Sequence, residues 1–181
     1  NGVHGPELYT TANINTYGFL GEVQPGYSHA APVILGASNG HLWFTTDATG
    51  TNPSERFSTE LWVTDGTSLP QKLGVFAAGS ITQVTVLAGQ PIIFFLARGL
   101  GAPSNYVELY RAGHAGSPSK IDTLRTSSAS IPTSPVYAAT NTFLCYQRID
   151  QNTEPWLYRI SIGERTQLLD IGGASGDSQP S

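Results

Sequence analysis

Methionine is absent from the 181 residues, cysteine occurs once and lysine twice. Each scarcity excludes something. A single Cys145 rules out an internal disulfide and any paired-cysteine metal set. Its setting, "TFLCYQ", is an apolar strand pattern, so it reads as a buried, inert thiol. The missing methionine, including at position 1, points to a processed chain or a piece of a longer one. Charged residues make up only 12% and the net charge is −4, so there is no basic patch for nucleic acid or an anionic membrane surface. No apolar run approaches the roughly 20 residues a spanning helix needs. His4, His29, His41 and His114 never stand in an i, i+2 or i, i+4 pair, so sequence spacing offers no zinc set. Neither a Gly-x-Ser-x-Gly elbow nor a phosphate-cradling glycine loop is present. No metal, cofactor or catalytic residue is therefore assigned.

Twenty glycines, twelve prolines and 10% aromatic residues are what the chain does have, a composition of short strands and tight turns. The stretch "STELWVTDGTSLPQKLGVF" (58–76) shows the grammar. Glu60-Leu61-Trp62-Val63 has strand character, Asp65-Gly66 is a turn signal, and Leu73, Val75 and Phe76 resume an apolar strand. Leucine followed by an aromatic residue recurs at Leu8-Tyr9, Leu109-Tyr110 and Leu157-Tyr158, at successive spacings of 53, 48 and 48 residues. Apolar residues follow the first three leucines at twelve and fifteen positions: Leu20 and Val23, Leu73 and Phe76, Ile121 and Leu124. In the fourth unit Leu168 and Ile171 fall at eleven and fourteen, which reads as one deleted turn residue. A slip of one residue would turn a strand's side chains to the other face, so a shared register implies a shared hairpin.

Between these hairpins lies a second repeated pair, "APVILGASNGHLWFTT" (31–46), "ITQVTVLAGQPIIFFLA" (81–97) and "PVYAATNTFLCYQ" (135–147). One unit is thus four short strands in about fifty residues, the size of one β-propeller blade. The expected fold is all-β, with fourteen antiparallel strands in four-stranded blades and no helix, a partial propeller of about three and a half blades. Residues 1–30 are expected to form the second half of a first blade plus a linker. Blades follow at 31–80, 81–130 and 131–172, and 173–181 is expected to be a flexible tail. Closed propellers need about four to eight blades. The expected partner is therefore another chain or a missing segment that completes the ring.

"ELWVTDGT" (60–67) resembles the signature of the ELWxxDGT repeat, found in large, mostly bacterial, secreted or surface proteins read as β-propellers. The first unit keeps Glu7-Leu8-Tyr9, the third Glu108-Leu109-Tyr110, and the fourth only Leu157-Tyr158. The resemblance implies a secreted or cell-surface location and brings no catalytic residues with it.

Asp65, before Gly66, reads as a turn former. The loop "TTDATGTNPSE" lacks the alternating spacing of known calcium loops. Trp43, Trp62 and Trp156 sit inside strands and read as core residues. A ligand site is expected on the face shared by the second-to-third-strand loops and the connections between blades. That face gathers Tyr27, His29, Asp47, Arg56, Arg98, Tyr106, Arg148 and Asp150 as candidate ligand-binding residues. Three functions fit. The first is a non-catalytic binding or adhesion module taking a glycan or protein. The second is a structural building block of an extracellular assembly or filament. The third is a glycosidase-like enzyme drawing two carboxylates from Asp47, Glu55 and Asp150. The non-enzymatic binding module is the expectation.

Overall fold

The structure, a computed structural model, describes residues 9–13, 16–19, 32–47, 58–104, 106–125, 136–140, 142–149, 153–161 and 163–167. Among these are fourteen strands and no helix. Strands β1 (Tyr9–Asn13) and β2 (Thr16–Phe19) pair as a hairpin. Three four-stranded antiparallel sheets follow in chain order. The first holds β3 (Val33–Ser38), β4 (His41–Asp47), β5 (Ser58–Thr64) and β6 (Gln71–Ala77). The second holds β7 (Thr82–Val86), β8 (Ile93–Ala97), β9 (Tyr106–Ala112) and β10 (Ser119–Arg125). The third holds β11 (Val136–Ala139), β12 (Phe143–Ile149), β13 (Thr153–Arg159) and β14 (Glu164–Gln167). Each is a simple meander, so every strand pairs with its chain neighbour, an arrangement consistent with partial propeller blades.

Two hydrophobic layers hold the sheets together. Trp43, Leu61, Val63, Leu73 and Phe76 of the first sheet meet Ile93, Phe95, Ala97 and Ala112 of the second. Phe94, Leu96, Leu109, Ile121 and Leu124 leave the second sheet's other face and meet Leu144, Tyr146, Tyr158 and Ile160 of the third. The run "IFFLA" is continuous rather than alternating because β8 is covered on both faces, and all five of its residues are buried. Ile93 and Phe95 point one way, Phe94 and Leu96 the other, as the two-residue period of a strand requires.

The repeat read in the sequence is a repeat of packing. Leu61 and Leu109 are both fully buried, one in each layer between sheets. Their followers at twelve and fifteen, Leu73 with Phe76 and Ile121 with Leu124, are buried too. Even the irregularities coincide. The β5–β6 ladder skips Leu73 between Gly74 and Lys72, and the β9–β10 ladder skips Ile121 between Asp122 and Lys120. A bulge at the same place in two hairpins bends and twists both edge strands alike.

Leu168 and Ile171 lie outside the described residues, but the described part of the fourth hairpin departs from the pattern by more than one residue. Arg111 lies opposite Ser119, but Arg159, its counterpart, lies opposite Glu164, a reach of five residues instead of eight. The described β13–β14 ladder has no bulge. A tighter turn closed by Gly163 at φ 71° takes up the difference, since a non-glycine residue there would be strained.

Two tryptophan and cysteine assignments also shift. Trp43 is fully buried, as expected of a core residue, Trp156 is half-buried against the layer between the second and third sheets, and Trp62 is only half-buried. It stacks on Phe44 with ring centroids 6.3 Å apart and planes 10° from parallel, while Lys72 Nζ lies 5.6 Å from its ring centroid. A lysine stem lying over a ring shields it from water without a second core layer. Cys145 is half-buried rather than buried, and desolvation raises its thiol pKa, which keeps it inert.

Candidate functional site

Stacked meanders send their connections to two opposite ends. Among the described residues, one end carries the link between β8 and β9 and the link between β6 and β7, and hydrogen bonds tie these two together. Ala77 N–H donates to the Arg98 carbonyl at 2.8 Å, and Arg98 N–H donates to Ser80 Oγ at 3.1 Å. Phe76 and Gly99 form an isolated antiparallel bridge between the first and second sheets. The loop after β8 is thus anchored on the turn that follows β6.

Glu108 fixes the same loop from beneath. Its carboxylate accepts Gly99 N–H at 3.1 Å, the Tyr110 hydroxyl at 2.8 Å and Lys120 Nζ at 3.0 Å. Burial raises the pKa of this carboxyl, but the three hydrogen bonds and the lysine charge outweigh it and leave the value below the ordinary glutamate range. Tyr110 moves the opposite way: burial first, then the bond to Glu108 and its negative charge, raise the phenol.

Of the ligand-binding candidates, Asp47 closes β4 and is exposed, Arg98 follows β8 and is half-buried, and Tyr106 opens β9. Arg148 stands near the end of β12, opposite Glu154. The topology therefore assigns these four to the same end of their sheets. Tyr27, His29, Arg56 and Asp150 lie outside the described residues.

At the other end a cleft appears that sequence spacing did not suggest. It has a volume of about 200 Å3 and is lined by His41, Val63, Thr64, Asp65, Ser68, Leu69, Gln71 and His114. His41 follows the Asn39-Gly40 turn, and His114 stands in the turn between β9 and β10. They are 73 residues apart in sequence, yet their ring centroids are 4.9 Å apart. The signal was available. Turns joining first to second and third to fourth strands of stacked sheets must converge, just as the connections at the opposite end do.

Asp65 performs the turn role expected of it. Its Oδ1 accepts the N–H groups of Thr67 at 2.9 Å and Ser68 at 2.8 Å, and Oδ2 accepts the Ser68 hydroxyl at 3.3 Å. Those backbone bonds hold its pKa down to about 2, so the cleft keeps one fixed negative charge. Among the described residues, no group of three or more histidine, cysteine or acidic side chains is placed to hold a metal ion.

No family model matches the chain, and no curated protein matches it. Solved structures similar to it include a variant of the AtxE2 isopeptidase with Astexin3-dC4 bound. The two share 16% identity and a TM-score of 0.47, over 86% of this chain and 21% of that one. This chain spans about a fifth of the length of that protein. The likeness is distant and assigns the chain to no family.

Proposed function

We propose that this chain is an arc of consecutive β-propeller blades, at 31–80, 81–130 and 131–172, serving as a non-catalytic binding module of a secreted or cell-surface protein related to the ELWxxDGT repeats. Its ligand, a glycan or a protein, binds the end that carries Asp47, Arg98, Tyr106 and Arg148. The observation that supports this reading is the anchored Arg98 loop. Glu108, Ala77 and Ser80 all spend hydrogen bonds on its backbone, so its side chains are presented from a rigid base. Preorganised loops on stacked sheets lower the ordering cost of binding.

A second reading, a building block of a larger extracellular assembly, is favoured by β3. It is an edge strand of its sheet, with Val33 and Ile34 exposed at 59% and 54%. Apolar side chains on an open edge invite pairing with another chain or segment. A glycan array probed with the full chain and with Asp47→Ala and Arg98→Ala separates the two. Binding to a defined glycan set that both substitutions abolish, with thermal stability unchanged, supports the module. No binding, together with concentration-dependent oligomers in native mass spectrometry, supports the building block.

A further inference from the structure

The imidazoles of His41 and His114 meet across the seam between two sheets, with ring centroids 4.9 Å apart and planes tilted by 45°. They come from different sheets, β4 of the first and the β9–β10 turn of the second. The backbones that carry them are tied across the interface. Trp43 Nε1–H donates to the Gly113 carbonyl at 3.1 Å, and Ser38 Oγ–H donates to the Leu87 carbonyl at 2.6 Å. The backbones that carry the two rings are therefore held next to each other across the seam between the sheets.

The separation of the ring centroids fits a shared ion. A metal lies about 2.0–2.1 Å from an imidazole nitrogen, hence roughly 3.2 Å from the ring centre. For ligand angles of about 90–110°, two ligating rings then have centroids roughly 4.5–5.2 Å apart. The observed 4.9 Å falls inside this interval. The protonation pattern agrees. His41 Nδ1 lies 2.9 Å from the Asn39 carbonyl, which can only accept, so Nδ1 carries the hydrogen. In the neutral ring Nε2 then holds a lone pair. A backbone carbonyl fixing the remote nitrogen is the support that ligating histidines commonly have.

We propose that His41 and His114 form a two-imidazole site for a divalent transition-metal ion, Cu2+, Ni2+ or Zn2+, that bridges the first and second four-stranded sheets. With no third protein ligand among the described residues, water fills the remaining positions and the ion exchanges freely. The carboxylate of Asp65 lines the same cleft and adds a favourable negative potential without leaving its turn. Affinity follows the usual order for imidazole sites, with Cu2+ tightest. This site lies at the opposite end of the sheets from the proposed ligand face and does not depend on it.

The test is calorimetric titration of the full chain with Ni2+ and Zn2+ at neutral pH, beside His41→Ala, His114→Ala and the double variant. Near-UV circular dichroism confirms that each is folded. One equivalent of ion is expected, with affinity falling by about 100-fold when either chelating ring is lost. Electron paramagnetic resonance of the Cu2+ form should show two coordinated imidazole nitrogens in the parent chain and one in each single variant. His114 is exposed in a turn, so His114→Ala keeps the test meaningful even if His41→Ala disturbs packing. Equal affinity in the parent chain and the His114→Ala variant overturns the proposal. So does the absence of binding of all three ions at millimolar concentration.

Discussion

The chain has two lysines, and both do the same thing. Lys72 reaches Glu60 and Lys120 reaches Glu108, each with Nζ to Oε1 at 3.0 Å and each lysine twelve residues after its glutamate. This explains the acidic residue that opens the motif "ELW". Glu60 and Glu108 are themselves buried on their strands, and each takes a partner from the next strand of its own hairpin. Glu60 also faces Thr46, whose hydroxyl oxygen accepts the Trp62 indole N–H at 3.0 Å. A carboxylate whose pKa is lowered in the folded state stabilises the fold above its unfolded pKa. That contribution is lost as pH falls through the folded value. Glu108 is such a group. Melting curves from neutral pH down through the acid range should therefore show Glu108→Gln less stable than the parent at neutral pH. The gap should narrow as pH drops below the ordinary glutamate range. A constant gap at all pH values would assign the effect to packing rather than charge.

At the scale of elements, the first strand of every sheet is bulged. The β3–β4, β7–β8 and β11–β12 ladders each shift register, at Ile34/Gly36, Thr82/Thr85 and Val136/Ala138. Bulges sharpen twist at a sheet edge, and at Gly36 the reason for glycine is visible: a Cβ there would collide with Val86 Cγ2 of β7. The Val86 side chain of β7 fills the space over position 36, which leaves no room there for a second side chain. The repeated leucines fix the sheets further out. Leu61→Ala and Leu109→Ala should each cost about 2–5 kcal/mol, because both side chains are fully enclosed and a cavity would remain. Leu157, the counterpart on the third sheet, is half-buried, and its substitution should cost less. Chemical denaturation of the three variants checks the order.

Across the whole molecule, the two junctions between sheets are built differently. The first is apolar and aromatic, with Phe76 edge-on to both Phe95 and Tyr110. The second adds a buried charge. Asp122, on β10, accepts the Tyr146 hydroxyl from β12 at 2.8 Å and pairs with Arg165 of β14 at 2.8 Å. Asp122→Ala removes the buried bond that Asp122 accepts from the Tyr146 hydroxyl and the ion pair with Arg165. A loss of about 2–4 kcal/mol is expected. Hydrogen exchange should rise first at the amides of β12 to β14, since the third sheet loses its tie while the first junction is untouched. Uniform loss of protection over all three sheets would show instead that they unfold as one unit.

The sequence alone determined the strand pattern, the antiparallel hairpins, the spacing of 48 residues between Leu61 and Leu109, and the turn role of Asp65. These rest on local chemistry: side-chain alternation, turn-forming residues and a register that one-residue slips would destroy. It also led to the expectation that Arg56, Arg98 and Arg148 share one end of successive units; the strand order carries Arg98 and Arg148 to the same end, and Arg56 lies outside the described residues. Tertiary structure decided the rest. It shortened the last hairpin, because turn length depends on where Gly163 closes the chain rather than on the apolar spacing beyond it. It joined Asp122 to Arg165 and His41 to His114, contacts of 43 and 73 residues' separation that no sequence period encodes. Such pairs exist only because sheets stack at a fixed distance. That distance is set by the volumes of Leu61, Phe76, Phe95 and their neighbours in the layer between the first two sheets.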